Sequence, residues 1–408
     1  MKKVVVTGIG AITPLGNDSD SFWKNIKAGE CGIDFITRFD ASDFKVKLSA
    51  EVKDFNPSLY MDKGDIRRTD LYVQYAMAAS IQAMNDSGIG GKISAERLGV
   101  YFSSGIGGMV TFDAESQKLH AFGPLKVSPY FITMMIENMA AGAIALRHGA
   151  TGATLSIVTA CATGTHSIGE AFRAIKHGYA DAVIAGGSEA AIGELSIAGF
   201  TNCMALTESG DPRCGSIPFD KRRSGFVMGE GAGCLILEEY EHACRRGAKI
   251  YAEIAGYGNT NDAFHATAPR ADGACAARAV QDALAEAAVK PQDKLYINAH
   301  GTGTQLNDKS ETAVYKLVLG DRAQETPISS TKSMIGHCLG AAGALEAIVS
   351  LKALNEGVLP PTIGYEEPDP ACDLNYIPNK AVQKQVDVVL STNMGFGGHN
   401  ACVAFKKI

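Results

Sequence analysis

Short apolar runs rich in β-branched residues alternate with helical patterns along the whole chain, and this alternation restricts the possible folds more than any other feature. Ten strands are predicted, five on each side of Arg246, at residues 3–8, 98–105, 155–160, 181–187, 233–237, 250–256, 294–299, 327–331, 386–391 and 400–405. Helical patterns occupy residues 72–87, 274–288, 310–319 and 340–355. Such an alternation predicts an α/β protein whose sheets are covered by helices. The equal division of the strands indicates two similarly built halves, residues 1–249 and 250–408.

Composition and charge exclude several classes of protein. Of the 408 residues, 46% are hydrophobic and 20% are charged, which is typical of a globular protein. The net charge of −6 argues against general nucleic-acid binding. No apolar stretch approaches the length of about 18 residues that a membrane span needs. The first apolar run ends at Thr7 without a cleavage site, so we predict a strand there rather than a signal peptide.

Two cofactor motifs are also absent. The opening VTGIGAITPLG has Thr13 where a dinucleotide-binding fingerprint has its third glycine. The ten cysteines form no CxxC pair, which argues against a zinc site or a redox dithiol. Reduced thiols in a cytoplasmic protein are the simplest expectation.

The stretch 155–178, LSIVTACATGTHSIGEAFRAIKHG, is predicted as a strand, a sharp turn and a helix, with Cys161 at the turn. A thiol at the first turn of a helix lies near the positive end of the helix dipole, which favours the thiolate. Small neighbours leave room for a substrate carbonyl, and the N–H of Cys161 is a candidate oxyanion donor. A buried structural cysteine is the alternative, and these residues alone do not separate the two interpretations.

Three further stretches place polar or bulky residues after predicted strands. His300 follows one strand, Lys332 and His337 follow the next, and Phe396 lies in the glycine-rich GFGG loop. Taken singly, His337 fits an interior histidine and Lys332 a surface charge. Because sites form at the carboxyl ends of strands in open α/β sheets, we expect these residues to converge with the cysteine. Two imidazoles facing a thiolate suit a reaction in which negative charge develops on a carbonyl or enolate oxygen.

The motifs TACATG, NAHGTGT, SSTKSMIGH, GAAGALE and GFGGHNA occur in this order in the chain. Together they resemble the motifs of the β-ketoacyl-acyl carrier protein synthases, in particular the KAS II type. The resemblance implies a thiolase-like five-layer α-β-α-β-α fold of two similar βαβαβαββ halves, usually in a homodimer. It also implies a decarboxylative Claisen condensation with malonyl-acyl carrier protein, no cofactor and no metal, and acyl carrier protein as the partner, with no nucleic acid and no membrane.

The resemblance also implies a role for each matching residue. Cys161 carries the acyl group, His300 and His337 bind the malonyl thioester carbonyl, Lys332 tunes their charge, and the N–H and ring of Phe396 serve as oxyanion donor and gate. The implied substrate-binding residues are Ile106 in the acyl tunnel, Thr267, Thr302 and Thr304 at the phosphopantetheine arm, and Glu346 as ion partner of Lys332. The implied docking patch for the acidic carrier protein comprises Lys63, Arg67, Arg68, Lys126 and Arg213.

Some positions depart from the pattern, and some alternatives stay open. Gly303, Gln305 and Met394 replace residues that are common in the family, so the acyl preference is not fixed by the motifs. A thiolase would need a second catalytic cysteine in the C-terminal half, and no motif supplies one. A polyketide-pathway ketosynthase and a non-catalytic chain-length partner subunit are the remaining alternatives, although the retained catalytic set disfavours the second.

Overall fold

The computed structural model describes residues 1–408, and ten strands in it form one hydrogen-bonded sheet. The strands are β1 (Val4–Ile12), β2 (Leu98–Ser103), β3 (Thr154–Leu155), β4 (Ala182–Glu189), β5 (Gly231–Glu239), β6 (Ala252–Asn261), β7 (Leu295–Asn298), β8 (Ile328–Ser329), β9 (Val388–Gly395) and β10 (His399–Lys406). Their order across the sheet is β8-β7-β9-β10-β6-β1-β5-β4-β2-β3.

The two halves of this sheet have the same topology. In the first half β1, β5 and β4 pair antiparallel in turn, and β4, β2 and β3 pair parallel. The second half repeats this with β6, β10 and β9 antiparallel and β9, β7 and β8 parallel. The halves join where Val4–Val6 pairs with residues 252–254. The expectation of two similar halves is therefore confirmed, while the exact boundary at 249/250 stays a prediction.

Six helices connect the strands and cover the sheet: α1 (Leu71–Ser87), α2 (Met139–His148), α3 (Thr163–Lys176), α4 (Ala274–Glu286), α5 (Gln305–Leu319) and α6 (Ala342–Glu356). Helices α3 and α6 pack on each other and against strands of both halves. Helices α1 and α2 cover the other face of the first half, and α4 and α5 cover that of the second. This arrangement gives the five expected layers, and α6 is apolar on nearly all sides because it lies in the middle layer.

Shorter elements surround this core. The additional helices are Ser19–Ala28, Lys63–Arg68, Met109–Phe122, Phe131–Met135, Glu194–Asn202, Tyr240–Arg245 and Lys332–Ile335. The additional strands are Asp34–Phe35, Leu48–Ala50, Met228–Gly229, Val358–Leu359 and Val382–Gln383. None of the helices combines the length and the apolar character needed to span a lipid bilayer.

One predicted strand is much shorter than expected. The observed strand is Thr154–Leu155, so only Leu155 of the predicted strand 155–160 pairs in the sheet. The chain then leaves the sheet and reaches a single 3₁₀ turn, Ala160–Ala162, before α3 begins. The β-branched residues that suggested a longer strand thus lead the chain from the sheet edge to the start of a buried helix.

Candidate active site

The turn that carries Cys161 is locally strained. Ala160 has a φ of 51°, a left-handed conformation that costs free energy for a residue with a side chain. The hydroxyl of Thr163, at the start of α3, accepts the N–H of Thr159 at 2.9 Å. The turn thereby holds Cys161 at the N-terminal end of the helix, where 9% of the residue is exposed.

Two opposing effects act on the protonation state of Cys161. Burial raises the pKa of the thiol to about 12, and the positive charge of Lys332 and the N–H groups of Phe396 and Cys161 only partly oppose this. Burial therefore favours the neutral thiol, whereas the position of Cys161 at the helix start favours the thiolate. The same N–H groups, which lie near the sulfur, are placed to receive an oxyanion.

Cys161 opens into a cleft that residues from both halves of the chain line. The cleft residues are Cys161, Ala205, Phe226, Asp262, Thr267, Ala268, Pro269, His300, Thr302, Thr304, Asn307, His337, Met394, Gly395, Phe396, Gly398 and Asn400. The predicted convergence of the cysteine, the two histidines and the glycine-rich loop is therefore observed. No group of three or more His, Cys, Asp or Glu side chains is arranged to hold a metal ion.

The two histidines form a close pair of neutral hydrogen-bond donors. Their ring centroids lie 5.3 Å apart with the planes at 85°. The Nδ1 atom of His337 accepts the N–H of Leu339 at 3.3 Å, and the Nδ1 atom of His300 accepts from the amide of Asn393 at 3.2 Å. Each ring therefore carries its proton on Nε2. The Nε2 atom of His337 is buried and has no partner within the protein.

Burial and a nearby cation keep both rings uncharged. Burial lowers the pKa of His300 and of His337 well below 6.5, and the charge of Lys332 lowers both further. Lys332 and Glu346 are each 1% exposed and form a direct ion pair. The predicted ion pair is thus present, and it lies behind the histidines rather than in the cleft.

The structure changes the placement of Glu346 and adds Asn393, which the sequence reasoning missed. Glu346 does not line the cleft, so its expected place among the substrate-binding residues is wrong. Its free oxygen accepts from the Asn393 amide at 2.8 Å, and the same amide reaches His300. The hydroxyl of Thr165 donates to the Asn393 carbonyl, which orients the amide. The signal in the sequence is a polar residue two positions before the GFGG loop, in STNMGFGG.

A second residue missed by the sequence reasoning is Glu311 in α5. Its carboxylate accepts the backbone N–H groups of His300 and Gly301, each at 2.7 Å, and Tyr315 donates to it at 2.6 Å. These bonds fix the chain where it leaves β7. The only signal available was an acidic residue shortly after NAHGTGT, a position that usually indicates a solvated helix face.

The remaining predicted substrate-binding residues divide into two places. Thr302 and Thr304, whose hydroxyls lie 3.0 Å apart, line the cleft wall, and Thr267 is exposed at its mouth. Ile106 does not line the cleft but packs against the apolar cluster that contains Cys161. The ring of Phe396 lies 6.3 Å from the ring of Phe200, a residue that packs against the same cluster.

The five residues of the predicted docking patch are all exposed: Lys63, Arg67, Arg68, Lys126 and Arg213. The guanidinium of Arg68 lies 5.4 Å from the ring centroid of Tyr130, which brings the helix Lys63–Arg68 next to the segment that follows Lys126. Four of the five cations are thus placed on neighbouring segments, and their function stays a prediction.

Comparison with known proteins agrees with this geometry. Residues 1–243 match the family model "Beta-ketoacyl synthase, N-terminal domain", and residues 251–366 match "Beta-ketoacyl synthase, C-terminal domain". The chain belongs to the β-ketoacyl synthase family.

Individual members of the β-ketoacyl synthase family are similar over the full length. A 3-oxoacyl-[acyl-carrier-protein] synthase 2 from Synechocystis sp. is 49% identical over 408 residues, which is 100% of this chain and 98% of the relative. A protein of the same name from Staphylococcus aureus is 46% identical over 407 residues, again 100% and 98% of the two chains. Among solved structures, the ketosynthase of a type II polyketide synthase in complex with its acyl-carrier protein has a TM-score of 0.91 and 34% identity, with 100% of both chains covered.

Proposed function

We propose that this β-ketoacyl synthase is a 3-oxoacyl-[acyl-carrier-protein] synthase that elongates fatty acids by decarboxylative condensation. The observation that carries the proposal is the pair of neutral histidines that line the cleft at Cys161, with the Nε2 atom of His337 left without a partner in the protein. Such donors stabilise negative charge on an oxygen without themselves carrying a charge that the buried site would have to desolvate.

In the first half-reaction the acyl group moves from the carrier protein to Cys161. The sulfur attacks the thioester carbonyl, the carrier thiol leaves with the cysteine proton, and a new thioester forms on the enzyme. The N–H groups of Cys161 and Phe396 lie near the sulfur and suit the oxyanion of this step. Because burial raises the pKa of the thiol, we expect proton removal to accompany the attack rather than to precede it.

In the second half-reaction the malonyl thioester on a carrier protein binds in the same cleft. His300 and His337 donate from Nε2 to its carbonyl oxygen while the bond to the carboxylate breaks and carbon dioxide leaves. The electron pair of the broken bond forms an enolate, whose carbon attacks the Cys161 thioester. The sulfur departs and regains a proton, and the product is a 3-oxoacyl group two carbons longer on the carrier.

Features of the protein surface and the state of the cysteines support the proposed partners and location. The exposed cations Lys63, Arg67, Arg68, Lys126 and Arg213 suit an acidic carrier protein. A second copy of this chain suits the unpaired edge of β3 and the exposed apolar side chains of the first half: Phe122, Leu125, Ile132, Leu146 and Leu155. All ten cysteines are unpaired, which suits the reducing conditions of the cytoplasm.

A mass-spectrometric assay tests the proposal. Purified protein incubated with acyl-carrier protein should gain one acyl group on Cys161, and subsequent malonyl-carrier protein should release it as a 3-oxoacyl product. Cys161→Ala should gain no acyl group while still releasing carbon dioxide from malonyl-carrier protein, because the histidine donors remain. His337→Ala should lower the rate of carbon dioxide release by about 10²-fold or more. A wild-type chain that forms no adduct would instead support a non-catalytic chain-length subunit.

The polyketide alternative receives less support. Full-length identity to the two fatty-acid relatives is 46–49%, whereas identity to the polyketide ketosynthase is 34%. Offering acyl chains and 3-oxoacyl chains side by side separates the two functions, since a fatty acid enzyme should accept the saturated chain in preference.

A further inference from the structure

Glu189, the last residue of β4, is a fully buried carboxyl group that the proposed half-reactions do not use. The hydroxyl of Ser104 donates to one of its oxygens at 2.5 Å. The backbone N–H groups of Gly105 and Gly340 both donate to the other oxygen at 3.0 Å. Burial raises the pKa of Glu189 to about 7, and these hydrogen bonds oppose that rise. Burying such a group is costly, so its three partners must define its position.

Those partners belong to different parts of the site. Ser104 and Gly105 begin the loop after β2 that carries Ile106, and the Ser104 oxygen also accepts the N–H groups of Ile106 and Gly107 at 3.3 and 2.8 Å. Gly340 lies three residues after His337. One carboxyl group therefore ties the Ile106 loop to the segment that follows the histidine.

The loop also meets the nucleophile turn at this point. A Cβ added to Gly105 would lie 3.2 Å from the carbonyl oxygen of Ala160 and 2.9 Å from a Glu189 oxygen. The backbone of the Ile106 loop is thus in van der Waals contact with the turn that holds Cys161. Ile106 itself packs against the apolar cluster that contains the sulfur. A small shift of the loop would change the space next to the acylated sulfur.

We propose that Glu189 is a positioning residue that sets the acyl chain-length preference by holding Ile106 beside Cys161. The proposal rests on the proposed function, since it concerns which acyl chains Cys161 accepts. While the carboxyl group anchors the loop, moving Ile106 aside for a long chain requires the loop to break these hydrogen bonds. Without this anchor the loop moves at a lower free-energy cost, so kcat/KM for long acyl chains should rise relative to kcat/KM for short ones.

Glu189→Gln is the direct test. A glutamine has one acceptor oxygen, so it cannot accept both from the Ser104 hydroxyl and from the two glycine N–H groups as the carboxylate does. The measurement is kcat/KM for transfer of palmitoyl and of butyryl groups from carrier protein to Cys161. The ratio of palmitoyl to butyryl should rise about tenfold relative to the unmodified chain. Ser104→Ala removes the acceptor of the Ile106 N–H and should raise the ratio similarly, and the double variant should add little because both act on one loop.

Glu238→Gln is the matched control. Glu238 is equally buried and pairs with Ala182 at the opposite end of the same two strands, where it accepts hydrogen bonds from Thr7 and Arg246. The Glu238→Gln variant should lower the free energy of unfolding without changing the ratio of palmitoyl to butyryl transfer. The proposal is overturned if the palmitoyl-to-butyryl ratio in Glu189→Gln and Ser104→Ala falls or stays within about twofold of that in the unmodified chain. An equal change of the ratio in Glu238→Gln would also overturn it. Failure of the unmodified chain to form any adduct would instead overturn the proposed function.

Discussion

Removing one member of the buried Lys332–Glu346 pair should destabilise the protein strongly. Both side chains are 1% exposed, so neither charge is solvated when its partner is lost. Breaking a buried ion pair by deleting one partner costs about 3–5 kcal/mol. Glu346→Gln should reach this range, because it removes the carboxylate that pairs directly with the buried Lys332 ammonium. Lys332→Met should cost less, because burial already raises the pKa of Glu346 and the carboxyl group can take up a proton.

Equilibrium urea unfolding at neutral pH measures these costs. The double variant Lys332→Met/Glu346→Gln should be destabilised by less than the sum of the two single variants, with a coupling free energy of about 2 kcal/mol. In Lys332→Met the raised pKa of Glu346 means that the folded state binds the proton more tightly than the unfolded chain does. The free energy of unfolding should therefore fall as the pH rises above the pKa that Glu346 has in the unfolded chain. Strictly additive costs, or a loss below about 1 kcal/mol in Glu346→Gln, would refute a desolvated pair.

Three further outcomes are expected from the site. Asn393→Asp places an acceptor against the Nδ1 atom of His300, which draws the ring proton away from Nε2. The rate of malonyl decarboxylation should therefore fall about 10²-fold. An unchanged rate would contradict the assigned tautomer. Because the pKa of both His300 and His337 lies well below 6.5, the decarboxylation rate should be flat between about pH 6 and 8, and an acidic limb near the ordinary histidine pKa would disagree with this. Arg67→Glu with Arg68→Glu should raise KM for carrier-bound substrates and spare small thioester surrogates; equal damage to both would indicate a structural role.

Much of the fold could be predicted from the sequence because burial on both faces leaves a direct pattern. Each of the ten predicted strands has a counterpart in the sheet, since strands between two helix layers are short apolar runs. The predicted strand at 155–160 was too long because β-branched residues favour extended backbone whether or not a neighbouring strand is present. The pairing of β1 with β6 could not be predicted, since nothing local specifies which edges meet.

The site residues could be predicted where glycine-rich motifs follow strands. The properties that depend on how deeply a side chain is buried could not be predicted. Cys161, His300, His337 and Phe396 meet in one cleft as expected. The effect of burial on the pKa of the Cys161 thiol could not be predicted, because a sequence shows the helix start but not the depth at which the thiol lies. Polar residues that act through backbone N–H groups, such as Glu189, carry no recognisable motif, because any acidic residue after a strand looks like a solvated one.

The position of β10 has a consequence for synthesis of the protein. This strand, His399–Lys406, comes last in chain order yet lies between β9 and β6 and pairs with both. The first half can complete its five strands while translation continues, whereas the sheet of the second half stays open until β10 has been made. A prematurely terminated polypeptide would expose two long unpaired strand edges, which are templates for aggregation. A nascent chain that lacks β10 should therefore aggregate more readily than one in which β10 has been made.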